Sequence, residues 1–255
     1  MKNSLRVIIM KTVAIIQARM GSSRLPGKVM KDLCGKSVLQ HVIERVQQAK
    51  YIDEIVIATT VHEQDDVIAE EAVKCGVQFY RGSENDVLER YYLAAKENKA
   101  DAVVRITSDC PLIDPVVVDE VIHYYQENNQ CDIVTNAGND LSQRTYPRGL
   151  DVEVFSYQAL ENAYDKAEEP YQREHVTPFI YENSPHVCFY KNHFDLSGYR
   201  WTLDTDEDFE LISQVYEHLY KGNHDFYLLD VINLLSKYPE LVEINKHIEQ
   251  KHYKV

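Results

Sequence analysis

Basic charge is what this chain has least of: 27 Lys and Arg stand against 41 Asp and Glu, a formal net charge of −14 over 255 residues. So acidic a protein is a poor candidate for non-specific binding to nucleic acid or to an anionic membrane, which relies on clustered cations. Long apolar runs are missing as well. No stretch approaches the ~20 residues that cross a bilayer, and Met1–Met10 is too short for a signal peptide. The five cysteines, Cys34, Cys75, Cys110, Cys131 and Cys188, form no CxxC, and the histidines show no zinc spacing. Buried free thiols in a reducing cytosol, and hence a cytoplasmic protein, are expected. There is no internal repeat, low-complexity run or linker.

Hydrophobic residues, at 44%, are enough for one full core, and the length requires no second domain. Residues 1–9 are expected to be a tail, and 10–255 a single domain. The first half alternates strand and helix. Strands are predicted at Thr12–Gln17, Glu54–Ala58, Val77–Tyr80 and Ala102–Thr107. Helices are predicted at Ser37–Ala49 (with a Ser37/Gln40 capping box), Asp65–Cys75, closed by Gly76, and Asp86–Glu97; a further one is capped by Asp114 with Pro115 at its first position. That rhythm indicates a three-layer α/β/α fold with a doubly wound, mainly parallel sheet. Later strands are expected at Asp132–Thr135, Leu150–Phe155, Val187–Lys191 and Tyr199–Leu203. Later helices are expected at Ser156–Lys166, Tyr171–Glu182, from Thr205 (capped by Thr205 and Asp208) and at Asp225–Lys237.

The first strand-to-helix connection, Gln17-Ala18-Arg19-Met20-Gly21-Ser22-Ser23-Arg24-Leu25-Pro26-Gly27-Lys28, holds three cations within ten residues. Glycines and serines between them permit close backbone approach and donate hydrogen bonds, as a polyphosphate requires. It is not a Walker A loop: Gly21 and Gly27-Lys28 are one residue too far apart and Val29 follows; the G-x-G-x-x-G fingerprint is also absent. A solvated surface loop is the plain alternative. In a sheet of order 3-2-1-4 the loops after strands one and four face one crevice. That sets Asp109, in Ser108-Asp109-Cys110-Pro111-Leu112-Ile113-Asp114, opposite the basic loop, where a carboxylate beside phosphates makes sense with Mg²⁺ between them. Asp114 is read as a helix cap.

The string IIQARMGSSRLPGKVM resembles the opening of the cytidylyltransferases that activate acidic sugars, notably the 3-deoxy-manno-octulosonate type, and especially relatives called spore coat polysaccharide biosynthesis proteins. The resemblance implies a nucleotide-diphospho-sugar transferase-like fold. It implies a nucleotide site of Ala18, Arg19, Gly21, Ser22, Ser23, Arg24, Lys28 and Arg81, with Arg19, Lys28 and Asp109 catalytic. Leu203-Asp204-Thr205-Asp206-Glu207-Asp208 is similar to the family's V-D-T-P-E-D, which makes Asp204 a second metal ligand and leaves Asp206, Glu207 and Asp208 as helix N-terminal charge. Two positions depart from the pattern: Gln17 stands where Pro is usual, and Cys110 where Glu is usual. Arg148, Asp151, Glu153 and His175 are candidates for the sugar, against an edge-strand salt-bridge ladder for the acids and a structural role for the histidine.

The function expected is transfer of a nucleotidyl group, CMP from CTP, to a sugar acid for a surface or spore coat polysaccharide. Glycosyl transfer from a nucleotide-sugar and a non-catalytic nucleotide-binding subunit are the alternatives. The expected partners are a nucleoside triphosphate and a sugar, not nucleic acid or membrane. Relatives of the family commonly pair, and a homodimer is the corresponding expectation.

Overall fold

Buried β-branched runs set the frame. The computed structural model describes residues 10–250, so the expected tail at 1–9 lies outside the described residues. Strand β1 is Thr12–Gln17; the hairpin strands β2 (Asp32–Leu33) and β3 (Lys36–Ser37) precede helix α1 (Val38–Val46). Then come β4 (Glu54–Thr60), α2 (Asp66–Lys74), β5 (Gln78–Gly82), α3 (Val87–Glu97), β6 (Ala102–Thr107) and α4 (Pro115–Glu127). The second half supplies β7 (Ile133–Thr135), β8 (Glu153–Ser156), α5 (Tyr157–Lys166), α6 (Pro170–His175), α7 (Pro178–Asn183) and β9 (Val187–Phe189). It ends with α8 (Asp206–Leu219), α9 (Leu228–Lys237) and α10 (Glu240–Glu243).

The main sheet runs β5-β4-β1-β6-β8-β7-β9. The first four strands are parallel in the order expected, with Ile15 opposite both Val56 and Arg105. Strand β8 is antiparallel to β6 and β7, and β9 is parallel to β7. Alternate residues of β1 go to opposite faces, as a strand period of two requires. Ala14 and Ile16 join Val42 of α1, Val118 of α4 and Ile212 of α8. Val13 and Ile15 join Leu88 of α3, Leu160 of α5 and Phe179 of α7. Helices cover both faces, so both faces of β1 are apolar. The layers are three.

Local signals hold at most helix ends. Asp114 accepts from Val116 N at 2.8 Å, Thr205 and Asp208 form a reciprocal box, and Gly76 adopts φ 71° after α2. Ser37 makes half of its expected box, accepting from Gln40 N, while the Gln40 side chain turns to Glu44.

Several expectations need correction. The helix expected at Tyr171–Glu182 is two, α6 and α7, broken where Val176 takes φ 71° before Pro178. Val176 leaves the helical region there, and Pro178, which has no N–H to donate, takes the first position of α7. The strand expected at Leu150–Phe155 starts only at Glu153, and it is interior rather than an edge. Tyr199–Leu203 forms no strand; its one bridge pairs Arg200 with Arg148. The thiols are not all free or buried either. Cys131 and Cys188 form a disulfide, made possible because β7 and β9 lie side by side, and Cys34 is exposed. Among the described residues no helix is long and apolar enough to cross a membrane.

Candidate active site

The loop after β1 is shaped before it is charged. Met20 O accepts from both Ser22 N and Gly27 N at 3.0 Å, closing the loop on itself. Gly27 makes the exit with φ 68°, a conformation costly for any residue with a Cβ. The base is pinned by Asp65, fully buried, which accepts from Met20 N at 2.7 Å and from the Thr60 hydroxyl. Lys28 then opens a single tight turn, anchored by buried Val29.

That turn points the Lys28 ammonium at two carboxylates. Nζ donates to Asp109 Oδ2 at 2.7 Å, Asp204 Oδ1 at 2.9 Å and Leu203 O at 2.8 Å. Arg24 reaches the other oxygen of Asp204 at 2.9 Å. Asp109 and Asp204, 95 positions apart, therefore meet around one cation, Asp109 opposite the basic loop as the strand order predicts and Asp204 beside it. Their backbones are joined too, since Leu203 N donates to Asp109 O at 2.8 Å.

Each aspartate has a fixed setting. Asp109 Oδ1 accepts from the Thr107 hydroxyl at 2.7 Å. Asp204 Oδ2 accepts from Arg200 Nη2 at 2.9 Å, and Arg200 is itself held by both oxygens of fully buried Asp208. Asn245 adds a bond to Asp208 at 2.8 Å. Asp208 thus does more than complement the helix dipole: its carboxylate orients the arginine that orients Asp204. Arg200 was not evident from sequence, because the capping box accounts for Asp208 without it.

Charge follows geometry. Burial disfavours the Asp109 carboxylate, but the Lys28 charge and hydrogen bond outweigh it and hold the group below its ordinary value. Burial likewise works against the Lys28 ammonium, and Asp109 and Asp204 overcome it and raise its pKa. Burial and neighbouring Asp109 and Asp151 push Cys110 well above an ordinary thiol. A neutral SH therefore stands where the family pattern has a glutamate.

The other expected nucleotide residues are spread around this centre. Ala18 is buried and continues the β1–β4 pairing through Ala58 O at 3.1 Å. Ser22 Oγ accepts from Leu25 N at 3.4 Å; Ser23 is exposed. Arg19 is exposed and pairs with Glu84 at 3.2 Å, and a Cβ on Gly21 would lie 3.5 Å from that same glutamate. Arg81 is turned elsewhere: it donates to Thr60 O at 2.8 Å and His62 O at 2.9 Å and pairs with Asp66. From that segment it is Glu84 that meets the loop, a residue sequence reasoning passed over.

The four sugar candidates do not form one group. Glu153, buried in the sheet, accepts from Arg105 at 2.5 Å, Thr177 at 3.0 Å and Tyr181 at 2.5 Å. His175, at the end of α6, lies within the field of Glu174, Arg105 and Glu153, and burial lowers its pKa. Asp151 precedes β8 and is gripped by both nitrogens of Arg144, at 2.6 and 3.0 Å, with its charge felt at Cys110. Arg148 lines a separate cavity of about 140 Å³ with Arg200, Trp201 and Lys246.

A phosphate-type loop and two converging aspartates on a 3-2-1-4 sheet match one family along almost the whole chain, the model described as cytidylyltransferase, over residues 13–252. The chain belongs to the cytidylyltransferase family. Among relatives of this cytidylyltransferase, the uncharacterized protein MJ1063 of Methanocaldococcus jannaschii is 40% identical over 250 residues, 96% of this chain and 98% of that one. The spore coat polysaccharide biosynthesis protein SpsF of Bacillus subtilis is 33% identical over 236 residues, covering 89% and 94%. The structure of a cytidylyltransferase from Leptospira borgpetersenii superimposes with a TM-score of 0.86 at 36% identity, covering 95% and 100%. The nucleotide-diphospho-sugar transferase-like fold expected from the motif is the fold observed.

Proposed function

We propose that this cytidylyltransferase moves CMP from CTP to a hydroxyl of a sugar acid, with Mg²⁺ held by Asp109 and Asp204, to supply a surface polysaccharide. One observation carries the reading: both carboxylates already share a cation, at 2.7 and 2.9 Å from Lys28 Nζ. Two hard oxygen donors beside a phosphate loop suit Mg²⁺, which binds through one or two carboxylates plus substrate phosphates. When bound, the ion neutralises phosphate charge and lowers the pKa of the attacking hydroxyl.

The chain's own residues do the positioning. Lys28 and Arg24 leave the aspartates for the β- and γ-phosphates, while Arg19 and the amides around Gly21–Ser23 close over them. The sugar oxygen attacks the α-phosphorus, the bond to pyrophosphate breaks, and the hydroxyl proton passes to solvent. Little covalent work falls to the protein, so no general base is assigned. The sugar-acid reading draws on the motif's likeness to the 3-deoxy-manno-octulosonate enzymes, and the polysaccharide reading on the name of the Bacillus relative. Among the sugar candidates, Asp151 acts on Cys110, the neighbour of Asp109, through its charge.

The test is incubation with each of the four nucleoside triphosphates, Mg²⁺ and pooled keto-sugar acids, reading pyrophosphate and product mass. CTP-dependent release and a CMP-sugar mass are expected, with Asp109→Asn slowed by about 10²–10³-fold, as for loss of one preorganised electrostatic group. Turnover of a nucleotide-sugar with an acceptor and no pyrophosphate would point instead to glycosyl transfer. Saturable CTP binding without turnover across the panel would leave a binding subunit.

A further inference from the structure

A second group of chemistry-bearing side chains lies on α1, sharing no residue with the Lys28–Asp109–Asp204 centre. His41 and Glu44 stand three positions apart, on one side of the helix. His224, in the loop between α8 and α9, comes back to them from 183 residues away, its Nε2 2.8 Å from His41 Nδ1. Its Nδ1 is 3.4 Å from Glu44 Oε2. One ligand atom from each residue can be chosen so that all three lie within 4.8 Å of one another. We propose that His41, Glu44 and His224 form a site for a transition-metal ion of the zinc class.

The hydrogen bonds already present orient the donors inward. His41 Nε2 is 2.6 Å from Leu33 O. A carbonyl only accepts, so this nitrogen carries the ring proton and Nδ1 holds its lone pair toward His224. Such a bond from the outer ring nitrogen to a carbonyl is what fixes metal-bound histidines. With both rings neutral, the proton between His41 Nδ1 and His224 Nε2 then belongs to His224, which leaves the His224 Nδ1 lone pair facing the Glu44 carboxylate. Two acceptors meet with no proton between them. An ion taking the His41 Nδ1 and His224 Nε2 lone pairs sends the proton they share to His224 Nδ1, beside the Glu44 carboxylate, and so removes the conflict.

The surroundings fit. Imidazole nitrogen with one carboxylate oxygen is a zinc-type donor set, three ligands leaving a fourth position for water. His41 and His224 are buried, and His41 packs edge-on against Tyr216 and Tyr220 at 4.5 and 5.1 Å. Glu44 is the way in, its side chain 25% exposed. Gln40 Nε2 donates to Oε1 at 2.8 Å, and Lys36 donates to Oε1 at 2.8 Å and to Oε2 at 2.6 Å from a half-buried side chain that can withdraw toward solvent. No linear spacing announces the site, because one ligand arrives from the far end of the chain.

The test is titration of the full chain with Zn²⁺ alone, in excess Mg²⁺ to occupy oxygen-only sites, by calorimetry, with Co²⁺ as a visible probe. One ion per chain is expected, with a four-coordinate Co²⁺ band and a rise in melting temperature. His224→Gln and Glu44→Gln should each weaken binding by about ten-fold or more, and Asp109→Asn should leave it unchanged. Circular dichroism checks folding; should His224→Gln not fold, Glu44→Gln, on the helix surface, decides. The assignment is overturned by a wild type that takes up no Zn²⁺, by Glu44→Gln binding as wild type does, or by loss of binding in Asp109→Asn.

Discussion

Lys28 keeps two carboxylates together that would otherwise repel, and its removal therefore has a sign that can be worked out. Lys28→Met leaves Asp109 without its partner and Asp204 with Arg24 and Arg200 alone. Breaking a largely buried pair in this way is expected to cost about 2 kcal/mol, less than a fully buried charge because some solvent reaches the group. Chemical denaturation of the variant checks it, and Mg²⁺ should restore part of the loss by standing in for the ammonium. The pH dependence follows from both partners. Asp109 titrates below its ordinary 3.8, so its contribution is complete above that pH and falls away as acid approaches the lower folded value. Lys28 titrates above its ordinary 10.5, so its contribution is complete below that pH and is lost as alkali passes the higher folded value. The stability difference between wild type and Lys28→Met should be flat from about pH 5 to 9 and shrink at both ends. A difference that varies across the neutral range would mean the pair is not the source.

At the scale of elements, the chain is read well where signals are local and poorly where they depend on distant partners. β1, β6 and the caps of α4 and α8 are legible because buried runs and Asp or Thr caps act within a few residues. The centre was legible in two ways: strand order brings the loops of Lys28 and Asp109 together, while Asp204 follows from the likeness of its segment to the family's V-D-T-P-E-D. Arg200, Glu84 and the Cys131–Cys188 pairing were not, because each depends on a neighbour that only the completed sheet supplies. The segment 199–203 illustrates this. Its β-like composition reflects burial of Trp201 rather than a strand, and it is held instead against 148–150, with Trp201 N donating to Arg148 O at 2.7 Å. Gly149 makes that approach possible, at φ 98° with Trp201 backbone atoms 2.5 Å from where a Cβ would stand. Gly149→Ala should cost at least about 2 kcal/mol, from strain and displaced backbone together, and should depress activity by shifting Asp204; melting temperature and CTP turnover measure the two. The disulfide closes a span of 57 residues between β7 and β9. Cys131→Ser is expected to lower stability by up to about 4 kcal/mol, seen equally in wild type after reduction.

For the molecule as a whole, the connection that matters runs from the C-terminal segment into the reacting centre. Asn245 and Gln250 both bond into the Arg200 network, at 2.8 to Asp208 and 2.5 Å to Arg200 respectively, and Arg200 sets Asp204. Arg200→Leu should therefore lower CTP turnover by about 10–100-fold, as loss of an outer-shell partner does, while the sheet stays intact by circular dichroism. Unchanged turnover would show that Asp204 needs no such support.

The separation of Lys28 from Asp204 by 176 residues has a further consequence, for biosynthesis. A nascent chain emerging from the ribosome presents the cationic loop early and its second counter-charge only after most of the polypeptide has been made. Contacts so remote along the chain close slowly, after the loop entropy of the intervening residues has been overcome. Competence for nucleotide chemistry is thus a late event in maturation, and fragments stopped before Thr202 would display the loop while lacking the means to use it.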